Sequence, residues 1–288
     1  MERDKASRGN IEASVERQVQ MKFCFPLYFQ TVLPDDYKNN ATFRSLLGTL
    51  RALGFSGVEL NMSDPRQLKA RDVRDFLGTF DLELSMLATG LTAKRLELSL
   101  SHPDESVRRR SIEMCREMID WVAGSTTGII VGFLKGGVAR DAEEARKRFS
   151  QSLAQIFPYA EPRSVGVLIE ATNRYESSVA NTIEETAHLL REYSAGSAQM
   201  LPDTFHMNIE EAHMFESLRM HHHRFRSIHL SDNNRRFPGL GAIDFGGIIT
   251  FLKQIGYRGR LAIEGNVKND VEAELRSSLT YLAPLLEE

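Results

Sequence analysis

From Met21 to the C-terminus, short apolar runs alternate with longer stretches whose apolar residues recur at helical spacing. The short runs (22–28, 57–61, 82–88, 128–133, 165–170, 198–203, 226–230 and 261–264) are bounded by Gly, Pro or polar residues, the pattern of buried parallel strands. The helix-patterned stretches are 43–53, 66–80, 104–123, 142–159, 182–193, 210–221, 246–255 and 270–286. His102-Pro103-Asp104 offers a helix start with an early acid, and Gly54 and Gly256 stand where two helices should stop. Eight strand-helix pairs with no long structureless insert predict a single-domain (β/α)8 TIM barrel over residues 21–288. No G-x-G-x-x-G turn follows the first strand, where an open dinucleotide-binding sheet would carry one.

The first twenty residues are charged and lack the apolar centre of a signal peptide, so 1–20 read as a disordered extension. A chain of 288 residues suits one barrel domain. The formal net charge of −3 gives no basic field for a phosphate backbone, so a small molecule, not a nucleic acid, is the expected partner. No apolar run approaches the roughly 20 residues needed to span a bilayer. Cys24 and Cys115 cannot form a disulfide framework, and Cys115 falls in an amphipathic stretch where a buried thiol is expected, which places the chain in a reducing cytoplasm.

Four of the later runs end in groups that bind divalent metals: Glu170, Asp203, His229 and Glu264, each one strand-helix unit from the next. The C-terminal ends of parallel strands converge on one rim of a barrel, where such folds keep their chemistry. Three carboxylates and one imidazole suit Mn²⁺, Mg²⁺ or Co²⁺ better than a thiolate site would, and a structural zinc is not expected. The plain alternatives are an ion pair for Glu170, a helix cap for Asp203 and a satisfied core position for His229. Glu59, at the end of the second strand, either supports the site from behind or pairs with a loop arginine. The run His221-His222-His223 is expected to be solvated and partly capping, and Lys135-Gly136-Gly137 to be a glycine turn rather than a phosphate cradle.

Five stretches carry a family resemblance: 168–176 (LIEATNRYE), 203–211 (DTFHMNIEE), 229–235 (HLSDNNR), 238–245 (PGLGAIDF) and 256–264 (GYRGRLAIE). From about Met21 onwards the chain resembles the xylose isomerase-like TIM-barrel sugar (phosphate) isomerases and epimerases, and is similar to the D-tagatose/D-psicose 3-epimerase branch. The resemblance implies that Glu170, Asp203, His229 and Glu264 hold one divalent metal, Mn²⁺ first and Mg²⁺, Co²⁺ or Zn²⁺ as alternatives. It implies that Glu170 and Glu264 are the acid-base pair, and that Glu176, His206 and Arg235 contact the sugar. A ketose 3-epimerase working through a cis-enediolate is the activity implied. An aldose-ketose or hydroxypyruvate-type isomerase and a keto-inositol-type dehydratase are the alternatives on the same barrel. A homo-oligomer, dimer or tetramer, goes with the resemblance. Ser231-Asp232 after the barrel histidine, where phosphopentose members tend to have Lys-Asp, favours an unphosphorylated ketose.

Overall fold

The computed structural model describes residues 23–287; the extension expected at 1–20 lies outside them. Among the described residues, eight parallel strands form one sheet in the order β6-β5-β4-β3-β2-β1-β8-β7. They are β1 (Leu27–Val32), β2 (Gly57–Asn61), β3 (Glu83–Ala88), β4 (Gly128–Val131), β5 (Val167–Glu170), β6 (Ala198–Leu201), β7 (Ser227–Leu230) and β8 (Arg260–Ile263). The ring closes between β6 and β7 through two isolated parallel bridges, Met200 with Phe225 and Asp203 with His229. Pro202 has no N–H to give to a ladder there; its carbonyl accepts from the His229 N–H at 2.8 Å. The result is the TIM barrel expected from the alternation of runs.

Helices alternate with the strands: α1 (Ala41–Ala52), α2 (Ala70–Gly78), α3 (Gly90–Arg95), α4 (Glu105–Val122), α5 (Ala142–Ala160), α6 (Ile183–Leu190), α7 (Thr204–Glu210), α8 (Met214–His221), α9 (Phe245–Gln254) and α10 (Val271–Leu286). Most starts carry a polar cap whose side chain accepts a free N–H of the first turn: Asn40 for α1, Asp104 for α4, Asp141 for α5, Thr182 for α6, Asp244 for α9 and Asp270 for α10. After α1 and α9 the chain turns through Gly54 and Gly256 at φ +85° and +69°, as their places in the sequence suggested.

Two expectations about elements need correction. The first strand starts at Leu27, not Lys22, because Pro26 cannot donate to a ladder and the segment before it joins the end of α10 instead, with the Cys24 N–H on the Leu286 carbonyl at 2.7 Å. The helix expected over 210–221 starts only at Met214, and a separate short helix, α7, ends at Glu210. At Glu211 the backbone turns extended (ψ 124°), and its carboxylate accepts from the Ile183 N–H at 2.7 Å and the Ser217 hydroxyl at 2.6 Å. The short α3, just after β3, carries no periodic signal of its own.

The main core lies between strands and helices. A smaller cluster, Met86, Ala88, Ile130, Leu168 and Leu201, fills the barrel itself. Above it the inward positions turn polar, and there the site is built. Leu168 is fully buried in this small cluster, so Leu168→Ala should cost about 2–5 kcal/mol through lost contacts and a residual cavity. Removing the exposed α10 cap with Asp270→Ala should cost about 1 kcal/mol. Urea unfolding of the two variants measures the difference, and equal costs would mean that the barrel interior is not packed as a core.

Candidate active site and metal centre

Glu170 is the last residue of β5, Asp203 lies two beyond β6, His229 is the third residue of β7 and Glu264 follows β8 directly. The barrel brings these four together: each offers one ligand atom, and the four atoms lie within 4.8 Å of one another. Such a set can hold a divalent cation. The observation that best fits one is a pair of orphans. His229 Nδ1 and Glu264 Oε2 are buried without a hydrogen-bond partner, although they approach each other to 2.6 Å. Their closeness brings two donor atoms to one point, as two ligands of one ion stand.

The rest of the ring is built around this cluster. His229 Nε2 meets Glu59 Oε2 at 2.7 Å, and the Ser227 hydroxyl donates to the other Glu59 oxygen at 3.1 Å. Glu59 therefore supports the site from behind and does not pair with a loop arginine. It orients the ring so that Nδ1 points inward, the usual service of a carboxylate behind a metal-binding imidazole. Arg235, held at φ +59° on the loop after β7, donates to Asp203 Oδ2 at 2.6 Å and to Glu264 Oε1 at 2.7 Å. Asp203 also caps α7, its Oδ1 accepting from the Phe205 N–H at 2.8 Å, so the cap and the site share one carboxylate. At the end of β4, Gly132 leaves room for Glu170: a Cβ there would sit 2.0 Å from Glu170 Oε2.

Charge explains the titration behaviour. Four acids (Glu59, Glu170, Asp203 and Glu264) face one permanent cation, Arg235. Burial and then the Glu264 charge push the Glu170 carboxyl up to about 8. Glu264, although burial opposes its ionisation, is held well below the usual carboxylate range by Arg235 and His229. Burial likewise opposes a charge on His229, yet Glu59 and Glu264 raise it well above the ordinary histidine value. Burial pulls His206 down.

A cavity of about 130 Å³ opens beside the cluster, lined by Glu170, Glu264, Arg235, His206, Glu176, Phe133 and two polar side chains of β1 and β2, Gln30 and Asn61. His206, on the first turn of α7, is buried with Nε2 3.8 Å from Glu170 Oε1. Glu176 stands at the edge, its side chain half exposed and 4.0 Å from His206 Nδ1. Of the seven site residues expected from the sequence, Glu170, Glu176, His206, Arg235 and Glu264 line this cavity, and Asp203 and His229 stand behind it in the cluster. The histidine run stays apart, with His221 on Glu184 at 2.8 Å and His222 on the Arg219 carbonyl at 2.8 Å.

The roles of three side chains, Lys135, Asp232 and Asn173, did not show in the sequence. Lys135 does belong to a glycine turn, but its side chain is fully buried and donates to the Glu170 carbonyl, to Thr172 Oγ1 at 2.9 Å and to the Ala180 carbonyl at 3.1 Å. Burial pushes its ammonium down to about 7, against the opposing pull of Glu170. A lone lysine at the end of an apolar run was the only signal. Asp232 gathers the Asn233, Gly239, Gly241 and Ile243 N–H groups at 2.8–3.0 Å and so folds the loop that carries Arg235. Asn173 bridges His206 and Glu176.

The family model of the xylose isomerase-like TIM barrel matches residues 47–285. This chain belongs to that family. The xylose isomerase-like barrel is 27% identical over 248 residues to an L-ribulose 3-epimerase of Methylomonas sp. (strain DH-1), covering 85% of each chain. It is 30% identical over 144 residues to a 3-dehydro-D-guloside 4-epimerase of Escherichia coli (strain K12), covering 50% of this chain and 55% of that one. A solved structure of the D-psicose 3-epimerase of Clostridium cellulolyticum H10 with D-tagatose shares the fold at a TM-score of 0.76 and 20% identity, covering 91% of this chain and 100% of that one. These relatives are epimerases, enzymes of the isomerase class, and this barrel is an enzyme of that class.

Two outcomes follow from the charge balance. Cation binding to the metal-free chain should release protons, because Glu170 and His229 hold protons that a cation displaces. Affinity should therefore rise with pH through about 8, as Glu170 gives up its proton unaided. Calorimetry with Mn²⁺ in buffers of different ionisation enthalpy counts these protons. Glu59→Gln should weaken Mn²⁺ binding about 10- to 100-fold by loosening His229, while the same titration of Glu184→Gln, remote from the cluster, should match wild type.

Proposed function

We propose that this barrel is a divalent-metal-dependent ketose 3-epimerase acting through a cis-enediolate, with Glu170 and Glu264 as the acid-base pair. The observation that carries this reading is the placement of those two carboxylates. They come from strands three steps apart, β5 and β8, onto one cavity, and Asp203 and His229 stand between them within the same 4.8 Å cluster. The 3-epimerase names of the relatives and the fit of the donor set support it.

Glu170, Asp203, His229 and Glu264 would hold the ion, Mn²⁺ first, with Mg²⁺, Co²⁺ or Zn²⁺ as alternatives. When bound, it supplies Lewis-acid polarisation of the C2 carbonyl, which acidifies the neighbouring C3–H. One glutamate takes the C3 proton, leaving the cis-enediolate, and the other returns a proton from the opposite face, so that C3 inverts. The roles exchange in the reverse direction. Arg235 holds Glu264 and Asp203 in place, and it shares the sugar with His206 and Glu176, which bind hydroxyls. The buried floor keeps bulk water from the planar intermediate. An unphosphorylated sugar fits the cavity wall: Arg235, the guanidinium that lines it, is already engaged by two carboxylates.

The likeness to a 3-dehydro-D-guloside 4-epimerase favours a second reading, the same proton exchange on the other side of a ketone, at C4 of a 3-keto sugar. Aldose-ketose isomerisation and keto-inositol dehydration use the same first step. A cytoplasmic setting agrees with the two free cysteines, one of them buried. A dimer or tetramer is proposed with the same reading, and light scattering tests it.

Incubation of the Mn²⁺-loaded protein with a panel of ketoses and 3-keto sugars in D₂O, followed by NMR, locates the exchanging carbon. Deuterium at C3 with inverted C3 is expected. Label at C4 selects the second reading, label at C1 or C2 with an aldose product makes the chain an isomerase, and no exchange with any sugar sinks the proposal. Glu170→Gln and Glu264→Gln should each lower turnover by on the order of 10²–10⁴-fold with the melting temperature of a folded barrel. Normal turnover in either variant would rule out the paired-glutamate mechanism.

A further inference from the structure

Asn173 follows the catalytic strand β5 by three residues and is almost wholly buried. Its amide is oriented without ambiguity. The Tyr175 N–H donates to Oδ1 at 3.0 Å, so this atom is the oxygen, and the NH₂ group must face the other way. On that side Nδ2 reaches Glu176 Oε1 at 3.0 Å and His206 Nδ1 at 2.8 Å. The backbone N–H of the same residue also points at His206 Nδ1, at 3.2 Å. His206 Nδ1 therefore faces two N–H donors, and a proton on it would meet both head-on. It can only accept, which leaves the ring proton on Nε2, the nitrogen turned to the cavity and 3.8 Å from Glu170 Oε1.

We propose that Asn173 is a positioning residue that locks His206 as the neutral Nε2–H tautomer, so that His206 meets the substrate as a fixed hydrogen-bond donor and carries no proton in the reaction. The same amide holds Glu176 beside it as an acceptor. A donor and an acceptor side by side read both the position and the direction of a substrate O–H. The donor also stands where negative charge gathers on an oxygen of the enediolate, and a neutral imidazole can stabilise that charge without surrendering its proton to it. Proton traffic is left to Glu170 and Glu264 alone. What the donor touches rests on the function proposed above; the tautomer does not.

Asn173→Asp isolates the effect, because Oδ1 keeps the Tyr175 turn while the NH₂ becomes an oxygen that accepts from His206 and repels Glu176. The primary measurement is a ¹⁵N–¹H correlation spectrum of the histidine rings in the metal-free wild type, with His206 assigned by the signals missing in His206→Gln. The expected pattern is an unprotonated Nδ1 and a protonated Nε2. An Nδ1–H tautomer or an imidazolium at neutral pH would overturn the inference, whatever sugar the enzyme acts on and even if Asn173→Asp fails to fold. In Asn173→Asp the proton should move to Nδ1, and kcat/KM on the sugar found active should fall about 10²-fold with Mn²⁺ affinity unchanged. An unmoved tautomer with kcat/KM within threefold of wild type would also overturn it. Because the spectrum needs no substrate, an inactive panel with the expected tautomer counts against the proposed activity and leaves this inference standing.

Discussion

The structure turns on one constraint: four carboxylates are gathered at the mouth of the barrel with little water to solvate them. Charges so placed demand compensation, since removing an ionised carboxylate from water is expensive unless it is paired. Arg235 answers two of them directly. His229 answers a third, Glu59, on one ring nitrogen and lies beside Glu264 with the other. Glu170 is left over, and its proton affinity is raised first by burial and then by the negative charge of Glu264. A divalent ion is the natural remaining counterion, and the rim is shaped to receive one.

Much of the second rank of residues serves that imbalance without touching it. Asp232 collects loop N–H groups so that Arg235 can take its left-handed backbone conformation. Lys135 fastens the end of β5 through carbonyl and hydroxyl oxygens, keeping the Glu170 backbone fixed while its side chain reaches into the cluster. Gly132 withdraws a Cβ from the path of that carboxylate. Asn173 settles which nitrogen of His206 carries the proton. All four are buried; Asp232, Lys135 and Asn173 work through hydrogen bonds and Gly132 through the space it leaves, and the site depends on them for its shape more than for its chemistry.

The sequence made the first rank legible and the second rank hardly at all. Glu170, Asp203, His229 and Glu264 stand at strand ends, and a parallel barrel sends all strand ends to one rim, so topology alone predicts their meeting. Glu59 was legible as one of two options because its strand was clear while its partner, from a strand far along the chain, was not. Asn173, Asp232 and the buried side chain of Lys135 were hidden because their roles depend on how loops fold back, and loops have no periodicity to read. The misplaced start of β1 has a different origin. Phe23 and Phe25 supply an apolar signal indistinguishable from that of a strand, but Phe23 pairs with the end of α10 and the sheet begins only after Pro26. The helix expected from Glu210 begins late, at Met214, because Glu211 turns extended and its carboxylate takes the Ile183 N–H and the Ser217 hydroxyl.

The seam between β6 and β7 has a consequence of its own. Elsewhere round the ring neighbouring strands are joined by ladders of three or more residue pairs, but here only two isolated bridges close the circle, and one of them is Asp203 with His229. The thinnest join in the wall is thus also the gap between two donor side chains. A breathing motion that a full ladder would resist passes here straight into the width of the donor pair. The calibre of the site and the closure of the barrel are one mechanical quantity, and whatever clasps Asp203 to His229 also tightens the hoop.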